Sequence, residues 1–452
     1  MTTLLTPGQV LQTQLSGKTC RIVKILGSGG QGEVYAAEWE GKSYAVKWYY
    51  SHTATEDQRA ILEKLIKDKD YSSPTNSFLW PLDIVSTADS NEFGYIMGLR
   101  DQRFKGLLDL MTNRIDPTFR ALVTAGLNLA DSFFKLHIKG LCYRDINFGN
   151  AFFDPITGEI LICDNDNVVK NRSTIIGPLG TPDFIAPELV RQEAMPSRET
   201  DIFSLATLLF YMFHINHPLV GKKILNIRIW DMPARNKLFG TEPVFIFDPI
   251  DKSNEAVDKS IDPIGEAGHN ALIYWKIYPK ILRDTFIKAF TDGLRDPENG
   301  RVLVGQWCRV LSQLRDSIYH CPCSKEGTEN FYDQAYFKSS GGKAALCWSC
   351  NKEVILPFRI HIEKSIIMLT KQGEIYPHHL DSSKDFNFNN PAGKVVQHPT
   401  DPNIWGLKNL TGEKWVATMA NGSLKDVEPE KSVPLGKNVK INFGKIIGEI
   451  CY

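Results

Sequence analysis

The stretch LHIKGLCYRDINFGNAFFDPITGEILICDNDN, residues 136–167, restricts the possible folds of this chain more than any other. It follows FRALVTAGLNLADSFFKLH, which reads as a helix, and runs through Tyr143-Arg144-Asp145 to Asn150 five residues later. A short strand, a DPITG turn and a second strand then lead to Asp164. A helix, a polar loop and a returning strand pair thus fix Asp145, Asn150 and Asp164 in a set order, with two oxygen ligands for a cation and one carboxylate able to accept a proton.

A second stretch supplies a place for anions. In LGSGGQGEVYAA, residues 26–37, Gly27, Gly29 and Gly32 spell G-x-G-x-x-G, and Val34 follows two residues later. Glycine lets main-chain N–H groups approach a phosphate, because no Cβ intervenes. In dinucleotide-binding folds the pattern opens a helix, but EVYAAEW reads as a strand, so a hairpin is expected. GKSYAVKWYY, residues 41–50, is a further strand with Lys47 inside it. A lysine within an apolar strand is costly unless it meets anions, such as phosphates and a carboxylate. Glu63, sixteen residues on in the helix DQRAILEKLIKDKD, is the candidate carboxylate; the alternative is an exposed helix glutamate.

The glycine loop, Ala45-Val46-Lys47, Tyr143-Arg144-Asp145 with Asn150, and the acidic Asp164-Asn165-Asp166 occur in an order that resembles the protein kinase family. GTPDFIAPEL, SRETDIFSLATLLFYMF and FTDGLRDPENGRVLVGQW extend the resemblance to about residue 315. It implies an α+β, bilobal fold that uses ATP with Mg²⁺ or Mn²⁺. By the same resemblance Gly27, Ser28, Gly29, Gly30, Gly32 and Val34 cover the nucleotide, while Ala45, Met97, Leu99 and Cys163 line its pocket. Met97 is the implied gatekeeper, with Gly98 to Arg100 as the hinge. Lys47, Glu63, Asp145 and Asn150 form the implied catalytic set, and Asn150, Asp164 and Asp166 the metal ligands. Arg301 is implied to pair with Glu188. Arg144 is an implied clamp for a phosphate on Ser173, Thr174 or Thr181, although Thr181 more resembles the family's structural threonine beside Asp145.

Three positions depart from the family pattern. Tyr143 stands where histidine is usual, Asn147 where a lysine is common, and Asp166 where D-F-G has glycine. Asn147 brings no positive charge to a transferring phosphoryl group, so slower chemistry is expected. With FLWPLDIV at 78–85 and GTEPVFIFDPIDKSNEAVD at 240–258, these features resemble bacterial kinases encoded with a PP2C-type phosphatase and a von Willebrand A-type protein in tellurite-resistance and related stress systems. The segment between His217 and Lys280 reads as a long solvated connection rather than a docking surface.

Composition excludes other classes. Lys+Arg and Asp+Glu each number 52, so no global basic field favours nucleic acid or a membrane surface. The first residues lack an export signal, and IFSLATLLFYMF, at 202–213, is too short to span a bilayer, so a cytoplasmic protein is expected. Nine cysteines then read as thiols or metal ligands. Cys321 and Cys323 form one pair and Cys347 and Cys350 another, a spacing that suits structural zinc in a zinc ribbon, with His320 as an alternative ligand.

Beyond residue 355, short strand-like runs separated by Gly, Asn, Asp and Pro suggest a β-sandwich. The ending VPLGKNVKINFG resembles that of forkhead-associated domains, but no arginine follows Arg359, so phosphothreonine binding is not expected. The expected organisation is an extension at 1–17, a kinase-like domain at 18–318 with lobes at 18–98 and 99–318, a zinc ribbon at 319–354 and a degenerate forkhead-associated-like sandwich at 355–452. The expected function is ATP-dependent phosphorylation of serine or threonine on partner proteins. The alternative is a nucleotide-binding pseudokinase that acts as a scaffold.

Overall fold

The computed structural model describes residues 3–87, 92–173, 179–371 and 373–452. The chain forms two compact units. One comprises Met1–Pro117, Asn128–Leu272 and Phe286–Gly305, and the other Thr118–Leu127, Ile273–Thr285 and Gln306–Tyr452.

The first unit begins with six strands, β1 (Val10–Thr13), β2 (Thr19–Ser28), β3 (Gly32–Trp39), β4 (Lys42–Tyr49), β5 (Asp83–Ser86) and β6 (Phe93–Gly98). They close into an antiparallel barrel in the order β1-β2-β3-β4-β6-β5. Side chains on a strand alternate between faces, and this alternation separates two apolar clusters. Val46 and Trp48 of β4 join Leu11, Ile22, Tyr35 and Ile96 in one. Ala45 and Tyr49 join Phe93, Tyr95, Met97 and Leu62 in the other. Lys47 lies on the Ala45–Tyr49 face and pairs directly across from Tyr95 of β6.

Helix α1 (Glu56–Lys67) covers that second cluster. Thr55 caps it by accepting the Gln58 N–H, acidic Glu56 and Asp57 lie at its positive end, and Lys64 and Lys67 at its negative end. Its buried residues are Ile61, Leu62 and Leu65.

Two expectations for this unit need correction. The described part of the expected extension, residues 3–17, is not an appendage, since β1 closes the barrel through Gln12↔Ser86 and Thr13↔Val85, and Leu5 and Leu11 are buried. Without β1, β5 would present an unpaired edge. The segment after His217 is not a solvated connection either. It buries Leu238, Phe239, Phe245, Ile246 and Val257, and Asn254 donates to the carbonyls of Leu219 and Val244 at 2.8 and 2.7 Å. Phe245 packs on Phe210 and Phe290, with ring centroids 5.7 and 5.3 Å away, which anchors the segment to the buried helix Arg198–His214.

The second unit departs from the expected boundary at residue 318, because Thr118–Leu127 and Ile273–Thr285 belong to it. Aromatic packing explains the assignment: the Phe119 ring lies 5.7, 5.1 and 5.9 Å from Tyr278, Phe331 and Trp348. A hairpin, Ile318–Cys321 with Thr328–Phe331, leads to one sheet of six strands and another of four. Residues of both sheets, including Ile360, Val395, Leu407, Trp415 and Ile441, share one apolar core. Among the described residues, no helix is long and apolar enough to cross a membrane.

The glycine-rich turn separates packing demands from other demands. A Cβ on Gly32 would fall 2.0 Å from the Trp48 carbonyl oxygen, whereas Cβ atoms on Gly27, Gly29 and Gly30 would meet nothing within 4 Å. Gly32→Ala should therefore cost about 1–3 kcal/mol of stability by overpacking. Gly29→Ala should stay within about 0.5 kcal/mol, as for a surface change. Denaturant unfolding of both variants checks this, and equal losses would contradict the distinction.

Candidate active site

Seven of the expected site residues, Gly29, Gly30, Gly32, Val34, Lys47, Asp145 and Asp164, line one cleft of about 330 Å³ together with Thr181. Over it, β2 and β3 form the expected hairpin, with Gly27 opposite Val34 and Ser28 opposite Glu33. The open space above Gly27, Gly29 and Gly30 means that contacts within the protein do not dictate these glycines.

Below the hairpin, Lys47 is buried, and its Nζ lies 3.0 and 3.2 Å from the two carboxylate oxygens of Asp166, 3.5 Å from Asp164 and 2.9 Å from Oε1 of Gln31. Burial alone would lower the ammonium's pKa; the charges of Asp166 and then Asp164 outweigh it and hold the group above its ordinary value.

Glu63, expected as the lysine's partner, is not there. Its side chain is 42 % exposed and bonds to Lys67 at 3.2 Å. At 100° per residue, Glu63 sits about 200° around the helix from Ile61 and Leu65, so burying those two turns it outward. Gln58 is what α1 sends inward, donating to the Tyr49 hydroxyl at 3.1 Å and to the Asp166 carbonyl at 3.0 Å.

Asp166, expected as a metal ligand, is also elsewhere. It is fully buried and its carboxylate is occupied by Lys47 and by the hydroxyls of Tyr49 and Tyr95. Asp164 takes the cleft position: its side chain is 36 % exposed and its backbone is left-handed, with φ 51°. Sequence reasoning missed Gln31, Tyr49, Gln58 and Tyr95. The two tyrosines had a signal, since strand alternation sets Tyr49 beside Lys47, and strand pairing sets Tyr95 opposite it.

The loop carrying Asp145 is braced from beneath. Asp201, at the start of a buried helix, accepts the backbone N–H groups of Tyr143 and Arg144 at 2.6 and 2.9 Å. Tyr143 is fully buried and its hydroxyl donates to the Cys163 carbonyl. The Asp145 carboxylate accepts from the Thr181 hydroxyl at 2.9 Å, from Asn147 at 3.0 Å and from Asn150 at 3.2 Å. Thr181 is thus a structural neighbour of Asp145, and Arg144 is buried with its Nε on the Asn167 carbonyl. Ser173 is the last described residue before Thr174, which lies outside the described residues.

The remaining expected positions fall around the cleft. Ala45 and Met97 are buried cross-strand partners, and Leu99 follows β6 and is 38 % exposed. Burial pushes the Cys163 thiol up to about 12, which disfavours the thiolate. Arg301 grips Glu188 with two bonds of 2.8 Å in a buried, bidentate pair.

Away from the cleft, the sulfurs of Cys321, Cys323, Cys347 and Cys350 all lie within 4.8 Å of one another. Two of the separations are 3.8 and 3.9 Å, close to the edge of about 3.8 Å of a tetrahedron built on zinc–sulfur bonds of about 2.3 Å. Burial would raise the Cys347 thiol, but the backbone N–H groups of Cys350 and Ser349 oppose it and bring it down to about 7, favouring the thiolate. His320 lies 3.9 Å from Glu329, and four sulfurs complete a tetrahedral donor set without it.

Comparison with known proteins agrees with this geometry. A probable serine/threonine-protein kinase of Dictyostelium discoideum is 24 % identical over 239 residues, covering 52 % of this chain and 14 % of that protein. The serine/threonine-protein kinase PkaB of Streptomyces coelicolor is 28 % identical over 209 residues, 41 % of this chain and 46 % of that one. Protein kinase C delta type of Rattus norvegicus is 30 % identical over 212 residues, 44 % and 29 %. The chain thus spans less than half the length of each of these relatives. The family model of the protein kinase domain matches residues 20–260, more than half of the sequence, and this chain belongs to that family.

Proposed function

We propose that the chain is an active protein kinase that transfers the γ-phosphoryl group of ATP to serine or threonine hydroxyls of partner proteins. The observation that carries this reading is the Asp145 carboxylate, held by Thr181, Asn147 and Asn150 at a cleft that also contains Lys47 and Asp164. Asp145 orients the substrate hydroxyl and accepts its proton, Lys47 meets the nucleotide phosphates, and the glycine turn covers them with backbone N–H groups. Asn150 uses its amide nitrogen on Asp145, which leaves its amide oxygen, with the Asp164 carboxylate, to hold Mg²⁺ or Mn²⁺. The cation neutralises charge on the phosphates. Ala45, Met97, Leu99 and Cys163 border the adenine, and Gly27 and Ser28 lead into the phosphate turn.

One observation favours a nucleotide-binding scaffold instead. Asn147, in place of a lysine, donates to Asp145 and brings no positive charge to the phosphoryl group. Losing one such donor slows chemistry by roughly 10²–10³ fold without abolishing it, so an active enzyme remains the better reading.

Outside the cleft, residues 319–354 act as a ribbon closed by structural zinc on Cys321, Cys323, Cys347 and Cys350. Residues 355–452 act as a forkhead-associated-like docking module without phosphothreonine recognition. Resemblance to bacterial stress-system kinases points to a cytoplasmic setting, with a PP2C-type phosphatase and a von Willebrand A-type protein as candidate partners.

Incubation with labelled ATP and Mg²⁺ or Mn²⁺ tests the main reading. Asp145→Asn is expected to keep ATP affinity and lose phosphoryl transfer by at least about 10² fold. Indistinguishable labelling by the wild type and this variant, with ATP still bound, would favour the scaffold.

Metal analysis of protein purified without chelator is expected to give about one zinc per chain. Cys347→Ser with Cys350→Ser should remove the zinc and lower the unfolding temperature of the second unit while leaving ATP binding intact. Zinc-free wild-type protein of unchanged stability would contradict the ribbon.

A further inference from the structure

We propose that Asp166 is the positioning residue for Lys47, replacing the helix carboxylate as the lysine's counter-ion; this deepens the kinase reading above and rests on it. Four groups converge on this one aspartate. Its Oδ1 accepts from Lys47 at 3.2 Å and from the Tyr95 hydroxyl at 3.2 Å, its Oδ2 accepts from Lys47 at 3.0 Å and from the Tyr49 hydroxyl, and its backbone carbonyl accepts from Gln58 at 3.0 Å. Lys47 and Tyr49 lie two residues apart on β4, and Tyr95 stands opposite Lys47 on β6, so strand geometry alone gathers the three donors on one face.

The two aspartates of Asp164-Asn165-Asp166 thereby divide two tasks. Asp164 lines the cleft, and its contact with Lys47 is the longer one at 3.5 Å. Asp166 is fully buried behind the lysine, and its oxygens are taken by donors that a cation would have to displace. When phosphates and a cation enter, Asp164 is free to turn to the cation while Lys47 remains tied to Asp166. This arrangement has a regulatory consequence. Where a helix glutamate holds the lysine, rotating the helix breaks the pair. Here the partner carboxylate is bound by two strand tyrosines, and Glu63 lies outside the pair, bonded to Lys67. Rotation of α1 about its axis therefore does not remove the counter-ion of Lys47.

The experiment uses the full chain, with equilibrium binding of a fluorescent ATP analogue in Mg²⁺ and steady-state labelling measured side by side. Glu63→Gln is expected to leave ATP affinity and rate within about twofold. Asp166→Asn should weaken ATP binding at least about tenfold, the low end for a lost charge-assisted hydrogen bond. Because Asp166 acts through Lys47, Lys47→Ala with Asp166→Asn should bind ATP no more weakly than Lys47→Ala alone. The Mg²⁺ concentration for half-maximal rate should rise with Asp164→Asn and stay unchanged with Asp166→Asn, which separates positioning from metal ligation. Tyr95→Phe and Tyr49→Phe, which keep the ring and remove one donor, should each weaken ATP binding by about two- to tenfold. They decide the matter if Asp166→Asn does not fold. Full ATP affinity in folded Asp166→Asn, or in both tyrosine variants, overturns the proposal. So do additive losses in the double variant, a raised Mg²⁺ requirement in Asp166→Asn, or a large loss in Glu63→Gln. A wild-type chain that binds no ATP in Mg²⁺ or Mn²⁺ overturns the kinase reading and this proposal together, whereas a wild type that binds and transfers leaves the proposal to stand or fall alone.

Discussion

A lysine ammonium removed from water is tolerated when a carboxylate stands against it, and the pair of Lys47 with Asp166 meets that condition at the base of the cleft. The first unit is arranged around this pair. Barrel closure fixes β4 between β3 and β6, which aims Lys47, Tyr49 and Tyr95 at one point. The turn after the Ile160–Ile162 strand brings Asp164 and Asp166 to that point from the other side. The two sides are separated by 119 residues of sequence, so the pair is also a long-range clasp within this unit.

The same logic of buried polar groups held by named partners recurs at Asp201, which binds two backbone N–H groups of the Asp145 loop, and in the bidentate pair of Arg301 with Glu188. A buried carboxylate with two backbone donors is expensive to lose, because removing it would strand both N–H groups away from water. These braces leave the Asp145 carboxylate held by donors from Thr181, Asn147 and Asn150. Under the proposed kinase reading, positioning of Asp145 carries the chemistry, and Asn147 lowers its rate without abolishing it.

Much of this was legible in the sequence because it is local. The hairpin over the cleft follows from glycines flanked by strand-forming residues, and the tail hairpin that carries Cys321 follows from paired cysteines in a polar segment. Long-range partnership was legible where the family resemblance supplied it, as for Arg301 with Glu188 and Thr181 with Asp145, but not around Lys47. Glu63 was the natural carboxylate by sequence spacing, yet the helical angle set by Ile61, Leu62 and Leu65 excludes it, and that angle could have been read from the same residues. Asp166 carried no such signal, since nothing local distinguishes a metal ligand from a buried counter-ion. The packing of residues after His217 was likewise hidden, because Phe239, Phe245 and Ile246 are sparse among turn residues, and Phe245 finds Phe210 on a distant helix.

A structure of the chain with a non-hydrolysable ATP analogue and Mg²⁺ tests the account most directly, through the distance from Lys47 Nζ to the Asp166 carboxylate. The account predicts that this distance stays within about 3.2 Å, inside hydrogen-bond range, while the ammonium also meets a phosphate, Glu63 remains outward and Asp164 meets the cation. Lys47 paired with Glu63, with the Asp166 carboxylate on the cation, would contradict it.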